Sequence, residues 1–305
     1  MRVGFILPQI GPLGTPENLV RVAQRAEELG YNSLWVTERL LYPVNPQTPY
    51  PATPDGSLPE AYKHSLDPIG TLTFATAHTR KIRLGTSVLD IPYYNPVLLA
   101  RQLTALDVLS GGRLSVGLGQ GWSKDEYEAV GASFKNRGAR ADEFLQVLQA
   151  IWTTDPVEFQ GKFFKISKSI ILPKPVQKPH PPIYLAAYAP TALKRIARYA
   201  NGWNPVGIPV EGMEQMMQGI KAMAKEAGRD PSLLEMIVRG NVVITEKPLG
   251  MERWIFSGTL EQIGEDVAGC QRIGAKEVVF DPIFSPDATS LDRFLMRMEQ
   301  LRKLV

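Results

Sequence analysis

The chain has 305 residues, 34 Lys and Arg against 31 Asp and Glu, a formal net charge of +3 and 44% apolar residues, which is normal for a globular enzyme of one large or two small domains. Its charges form no runs, which argues against nucleic acid as a partner, and no apolar stretch approaches the ~18 residues that span a bilayer. The single Cys270 excludes an internal disulfide, and His64, His78 and His180 are too scattered to give metal-ligand spacing.

The opening MRVGFILPQIG breaks at Pro8 and has no small-residue cleavage site, so it does not read as a signal peptide and a cytoplasmic location is expected. Val3 to Leu7 reads as a first strand. A helix then opens at Thr15 with Pro16 at its first position and stops at Gly30, its apolar Leu19, Val20, Ala23, Ala26 and Leu29 recurring at helical spacing. A second strand is predicted at Ser33 to Val36. The proline-rich stretch from Tyr42 to Ser65 is too long for an ordinary βα turn and reads as a lid or binding element. A helix from about Asp67 to His78 leads to a third strand, Lys81 to Leu84, ending in Gly85, Thr86, Ser87 and Val88. Asn95 to Leu109 forms the third helix, with Pro96 in its first turn and Gly111 and Gly112 closing it.

Leu114 to Leu118 is the fourth strand and ends in Gly119, Gln120, Gly121 and Trp122. An irregular stretch to Gly138 follows, then a helix from Ala139 to Trp152 whose Phe144, Leu145, Leu148 and Trp152 form one apolar stripe. Val157 to Phe159 and Phe163 to Ile166 flank Gly161 and Lys162 as a hairpin, and a proline-rich run enters strand five at Ile183 to Ala186. The remaining elements are helix Pro190 to Ala200, strand Gly202 to Val206, helix Val210 to Ala227 and strand Met236 to Val243. A loop through Pro248 to Ser257 reaches a helix capped by Thr259 with Glu261 and Gln262 behind it; strand Glu277 to Asp281 and helix Leu291 to Leu304 finish the chain. Eight βα rounds predict a single-domain (β/α)8 TIM barrel over 1–305, with insertions after strands 2 and 4 and helix 4. An open doubly wound sheet is the alternative. It needs fewer strands and usually a glycine-rich phosphate turn after strand one, which Gln9, Ile10, Gly11 and Pro12 do not supply.

Barrel sites are built at strand carboxyl ends, here Gln9, Glu38 and Arg39, Thr86 to Asp90, Gly119 to Trp122, Ala187 and Tyr188, Asn204, and Asp281. These positions hold one carboxylate pair at most, Glu38 with Asp281, and no His, Cys or Schiff-base Lys. Such a set offers little nucleophilic or metal chemistry, so a cofactor is expected to supply it. Small residues at Gly85 to Ser87, Gly117 to Gly121 and Ala186 to Ala187 would admit a flat ring and its tail. Structural readings stand beside these. Gly117 and Gly119 thin a crowded strand, Glu38 and Arg39 form a rim ion pair, Asn95 and Pro96 are a helix cap, Trp122 and Tyr127 are packing aromatics, and the three histidines are structural.

Seven segments in order carry a more specific signal: FILPQIG, SLWVTER, IRLGTSVL with YYNPVLLARQLTALDVLSGGR, GLGQGWSKDEYEAVG, RGARADEFLQVLQAIW, LPKPVQKPHPPIYLAAYAPTALKRIARYANGW and SGTLEQIGEDV. Together they resemble the bacterial luciferase-like superfamily, in its branch of coenzyme F420-dependent oxidoreductases that includes methylenetetrahydromethanopterin reductases. The resemblance implies a barrel that binds F420, with FMN as the alternative, and moves a hydride between the ring and a small organic substrate. It also implies a homodimer. An FMN-dependent luciferase-like monooxygenase is the neighbouring reading.

The same resemblance assigns residues. Ser87 and Val88, after Thr86, hold the place of a bulge whose non-proline cis peptide is pressed against the back of the ring, and Glu38 binds the ring. Gln120, Gly121, Trp122 and Ser123 fall beside the ring or its ribityl chain, and Tyr127 near a phosphate. Ala186, Ala187 and Tyr188 correspond to a turn whose amides meet the phosphate near the next helix. The implied catalytic group is Glu38, Arg39 and Gln120. In two places the chain departs from the family pattern. Relatives carry His after the acidic residue where this chain has Arg39, which can polarise an acceptor or neutralise a reduced cofactor but is a poor general acid, leaving proton transfer to water or substrate. The common Gly-Gly after strand five is here Ala186 and Ala187. Two further classes stay open: a cofactor carrier without turnover, and a barrel aldolase or isomerase for phosphorylated substrates, which the missing Lys and His disfavour.

Overall fold

The computed structural model describes residues 1–305 except Pro54, Pro286 and Asp287, so Pro54 of the long proline-rich loop lies outside the described residues. Eight parallel strands close into a barrel: β1 (Arg2–Ile6), β2 (Ser33–Val36), β3 (Arg83–Thr86), β4 (Leu114–Gly119), β5 (Ile183–Leu185), β6 (Gly202–Trp203), β7 (Glu235–Asn241) and β8 (Glu277–Asp281). Neighbours in sequence are neighbours in space, and closure comes where Phe5 of β1 lies between Leu34 of β2 and Phe280 of β8. The helices α1 (Pro16–Glu28), α2 (Pro68–His78), α3 (Pro96–Leu109), α4 (Arg137–Thr153), α5 (Pro190–Tyr199), α6 (Val210–Glu226), α7 (Leu260–Arg272) and α8 (Leu291–Arg302) form the outer ring. This is the (β/α)8 barrel the alternation of elements predicts, and a parallel sheet with no edge leaves no strand open to pairing.

The local chemistry explains the boundaries. Asn95 Oδ1 accepts from Val97 N at 2.9 Å, as a cap before Pro96 should, and Thr259 and Gln262 form a reciprocal capping box at the start of α7. Phe144, Leu145, Leu148 and Trp152 are all buried on the inner face of α4. Each contributes roughly 1.5–3 kcal/mol by leaving water. At the amino end of the barrel Glu277 is buried against Ser33, Trp35 Nε1 and Arg2, a polar plug in the face where barrels are stabilised rather than active.

Several boundaries differ from those expected. The third strand begins and ends two residues later, because Gly85 and Thr86 still pair with Trp35 and Val36. Gly85 therefore does not open space for a ligand; a Cβ there would lie 2.4 Å from the Trp35 ring. The sixth strand stops at Trp203, and Val206 rejoins the sheet as a lone bridge to Arg239. A helix at Lys124–Ala129, capped by Ser123 Oγ, interrupts the stretch read as irregular; six residues are too few to show a period. The hairpin pairs Val157–Gln160 with Lys165–Ser169. The proline-rich loop folds over the mouth, where its Tyr50, Leu58 and Tyr62 bury Ile10 in a second small apolar cluster. Among the described residues no helix is long and apolar enough to cross a membrane.

Candidate active site

After Thr86 the third strand leaves the sheet and returns at Leu89–Asp90 to pair with Leu118 and Gly119 of β4. Between these points the Ser87–Val88 peptide is cis, as the resemblance implies. Residues of three other strands or their ends hold the bulge. Ser87 N donates to Val36 O at 2.7 Å, Ser87 Oγ to Asn204 Oδ1 at 2.7 Å, and Arg239 Nη1 to Ser87 O at 2.8 Å. Arg239 is itself paired with the buried Asp281, its Nε donating to Oδ2 at 3.1 Å, and Asn204 Nδ2 donates to Ile237 O at 2.7 Å. Thr86 Oγ1 donates to Gly117 O at 2.8 Å and accepts from Gly117 N at 2.9 Å, so it joins two strands rather than facing a ligand.

This bulge changes the reading of the glycines. A Cβ on Gly117 would lie 1.8 Å from Thr86 O, and one on Gly119 would lie 2.6 Å from Val88 Cγ2 and 2.7 Å from Asp90 Oδ1. The room above β4 is filled by the protein's own bulge. The structural reading of Gly117 and Gly119 therefore holds, and the expectation that they admit a ring does not.

Glu38 and Arg39 point to different partners, as neighbours on an extended chain must. Glu38 accepts from Asp90 N at 2.6 Å and from the Tyr94 hydroxyl. Arg39 Nε donates to Glu126 Oε1 at 2.6 Å with a second bond to Oε2, and the same carboxylate takes Leu40 N at 2.8 Å and the Tyr93 hydroxyl at 2.8 Å. The Arg39 guanidinium lies 5.1 Å from the Trp122 ring and 5.6 Å from the Tyr62 ring. It is thus enclosed, and its charge is already balanced by Glu126. Two pairings are corrected: no rim ion pair joins Glu38 to Arg39, and Asp281 belongs to Arg239, leaving Asp90 as the carboxyl that meets Glu38.

Burial, and then the neighbouring Asp90 charge, push the Glu38 carboxyl well above the usual range. Burial does the same to Asp90, with Arg39 pulling the other way and Glu126 adding to the rise. The pair holds a proton that free carboxyls would lose near pH 4. The sign for stability follows: folded-state values above the unfolded ones give a contribution complete below about pH 4 and lost as pH rises toward neutrality and beyond. Urea denaturation is expected to show stability falling between pH 5 and 8 on this account, with a shallower slope in Glu38→Gln and Asp90→Asn. Equal slopes in wild type and both variants would contradict it.

The other expected site residues gather beside the bulge but are mostly engaged. Gln120 Nε2 donates to Arg137 O at 2.9 Å, and the buried Tyr127 donates its hydroxyl to Gln120 O, which takes that hydroxyl away from a phosphate. Ser123 is a helix cap, and Trp122 packs on Arg39 and on Tyr50 with ring centroids 5.3 Å apart. Gly121 has φ +64°, a turn that aims its amide at Asp90, and only glycine adopts it freely. After β5, Ala186 N donates to Leu118 O at 2.9 Å, so that amide is not open to an anion. Ala187 O accepts from Trp203 Nε1 at 2.9 Å, and the half-exposed Tyr188 reaches Val206 O at 3.4 Å. The following α5 has Ala189 as N-cap with no side-chain cap, so no side chain of the cap accepts from its first-turn amides.

Three residues without an assigned role in the sequence belong to the site. Asp90 and Arg239 are described above; the signal for Arg239 is a cation inside the apolar strand Glu235–Asn241. Arg137 is the first residue of α4, where a cation opposes the helix dipole. Its guanidinium covers the Phe134 ring at 4.0 Å and its Nη1 is buried without a hydrogen-bond partner. Among the described residues no cluster of three or more His, Cys, Asp or Glu is placed to hold a metal.

Residues 1–276 match the family described as luciferase-like monooxygenase. An uncharacterized protein of Mycobacterium tuberculosis is 36% identical over 245 residues, 78% of this chain and 83% of that one. An F420-dependent glucose-6-phosphate dehydrogenase of Amycolatopsis mediterranei is 30% identical over 220 residues, 70% of this chain and 60% of that one. An FMNH2-dependent dimethylsulfone monooxygenase of Pseudomonas putida is 33% identical over 155 residues, 50% of this chain and 42% of that one. Among solved structures, a monooxygenase from Streptomyces bottropensis superposes with a TM-score of 0.81 at 23% identity, covering 100% of this chain and 98% of the other.

Proposed function

Because this chain belongs to the luciferase-like monooxygenase family, we propose that it is a deazaflavin- or flavin-dependent oxidoreductase, with F420 favoured over FMN, acting on a small organic substrate. The observation that supports this reading most is the bulge at Ser87–Val88 where the third strand leaves the sheet, fixed at the barrel mouth by Asn204 and Arg239. The residues fit such a cofactor. Ser87 and Val88 would back its ring, with Glu38 at the edge, and the unpartnered Arg137 Nη1 together with the uncapped start of α5 would take its anionic end. When bound, the cofactor supplies the ring that accepts or returns a hydride.

The chain's own residues then position and balance charge. Arg39, Glu126 and Tyr93 fix the wall beside Trp122, and the proline-rich loop excludes water from that side through Tyr50 and Tyr62. The Glu38–Asp90 pair holds or takes the proton that accompanies the hydride. Proton transfer by a positioned carboxyl contributes on the order of 10²-fold or more, so Glu38→Gln should lower kcat by that factor, far more than it weakens cofactor binding. The reaction to follow is reoxidation of the reduced cofactor by organic acceptors with and without dioxygen. Reoxidation by an organic acceptor without dioxygen is expected; turnover only with dioxygen, and oxygen found in the product, would replace this reading with an FMN-dependent monooxygenase.

A further inference from the structure

Over the ends of β6, β7 and β8 lies a cleft of about 300 Å³ whose walls include Tyr50, Gly207, Asn241, Val243, Trp254 and Phe284. That is enough for a molecule of one or two rings. Three of these are aromatic, and among the described residues that line the cleft none is charged. Asn241 ends β7, and its Oδ1 is buried with no hydrogen-bond partner. A buried acceptor left unpaired is unfavourable, so this amide is a place where a ligand's donor gains what the protein does not supply.

The cleft adjoins the bulge. Asn241 lies two residues beyond Arg239 on the same strand and so on the same face, and Arg239 is the residue that holds Ser87 O at 2.8 Å. Tyr50 forms part of the cleft wall and packs on Trp122 at 5.3 Å, and its hydroxyl meets that of Tyr62 at 2.9 Å. The two rings on Arg39, those of Tyr62 and Trp122, therefore continue into the cleft wall.

We propose that this cleft is the substrate site and that it takes an uncharged, largely apolar ring compound whose hydroxyl or N–H donates to Asn241 Oδ1. Phosphorylated and carboxylated compounds are excluded, because among the described lining residues a desolvated anion meets no cation. The name substrate rests on the oxidoreductase reading above; the binding specificity does not.

The test is calorimetric titration of the protein without cofactor, using 2-naphthol, 2-methoxynaphthalene, 2-naphthoate and glucose 6-phosphate as probes. Saturable binding of 2-naphthol is expected, roughly tenfold tighter than the methoxy compound that lacks the donor, with no binding of either anion. Asn241→Leu should bring 2-naphthol down to the affinity of the methoxy compound. Trp254→Ala, at a half-exposed wall position, should weaken both neutral probes alike. The proposal is overturned by absent naphthol binding, by either anion binding as tightly, by a donor preference that survives in Asn241→Leu, or by unchanged affinity in Trp254→Ala. No cofactor enters this titration, so its failure leaves the cofactor reading standing, and failure of cofactor binding leaves the cleft assignment standing.

Discussion

Gly117→Ala is expected to leave little folded protein. The added methyl would sit 1.8 Å from Thr86 O, a backbone atom rather than the end of a flexible side chain. That carbonyl cannot retreat, because Thr86 is tied to Gly117 through Oγ1 and the next residue is held by Val36, Asn204 and Arg239. Overpacking a well-packed interior costs about 1–3 kcal/mol when neighbours can shift, and here they cannot, so a loss above that range is expected. The control is Gly219→Ala in α6, where nothing lies within 4 Å of the new methyl and about 0.5–1 kcal/mol should be gained. Soluble yield and thermal denaturation report both. Equal melting temperatures for Gly117→Ala and wild type would contradict the description of the bulge.

The Arg39–Glu126 pair gives the second large effect. Both side chains are nearly solvent-free, at 5% and 1% exposure, so removing one leaves the other charge buried without its partner. Such a break costs about 3–5 kcal/mol, well above the ~1 kcal/mol ceiling of exposed pairs. Glu126→Ala should be at least as damaging as Arg39→Ala, since Leu40 N and the Tyr93 hydroxyl lose their acceptor too. The double variant Arg39→Met with Glu126→Leu should recover part of the loss, because two apolar side chains leave no uncompensated charge. A free catalytic cation would behave otherwise: Arg39→Ala would keep its stability and lose only activity.

Much of the barrel was legible in the sequence because its signals are local. Ser33–Val36 and Glu277–Asp281 are short apolar runs between turn residues, and both stand where the runs place them. Thr15, Asn95 and Thr259 cap their helices because a side-chain acceptor before a Pro or an acidic turn is readable in a few residues. The bulge was reachable only through the resemblance, since nothing in the composition of Ser87 and Val88 marks a cis peptide.

What stayed hidden was pairing across the barrel. Whether Arg39 meets Glu38 or Glu126, 87 residues away, depends on how the end of β2 faces the helix at Lys124–Ala129. The small residues misled for a related reason. Gly85 and Gly117 are small to admit Trp35 and Thr86, and a sequence does not say whether space is left for a ligand or for the chain itself. Arg137 did carry a readable sign, a cation at a helix start, which becomes meaningful once its Nη1 is seen buried without a partner.

A deazaflavin or flavin bound as proposed at the Ser87–Val88 mouth would place its anionic end near Arg137 and the start of α5. Titration of the wild-type protein and Arg137→Ala with F420 and with FMN, followed by quenching of intrinsic fluorescence, tests it most directly. Saturable quenching by F420 is expected, with weaker quenching by FMN and about tenfold weaker binding of F420 in Arg137→Ala through loss of one charge-assisted contact. Saturable binding of neither cofactor to the wild-type protein would contradict the proposed binding.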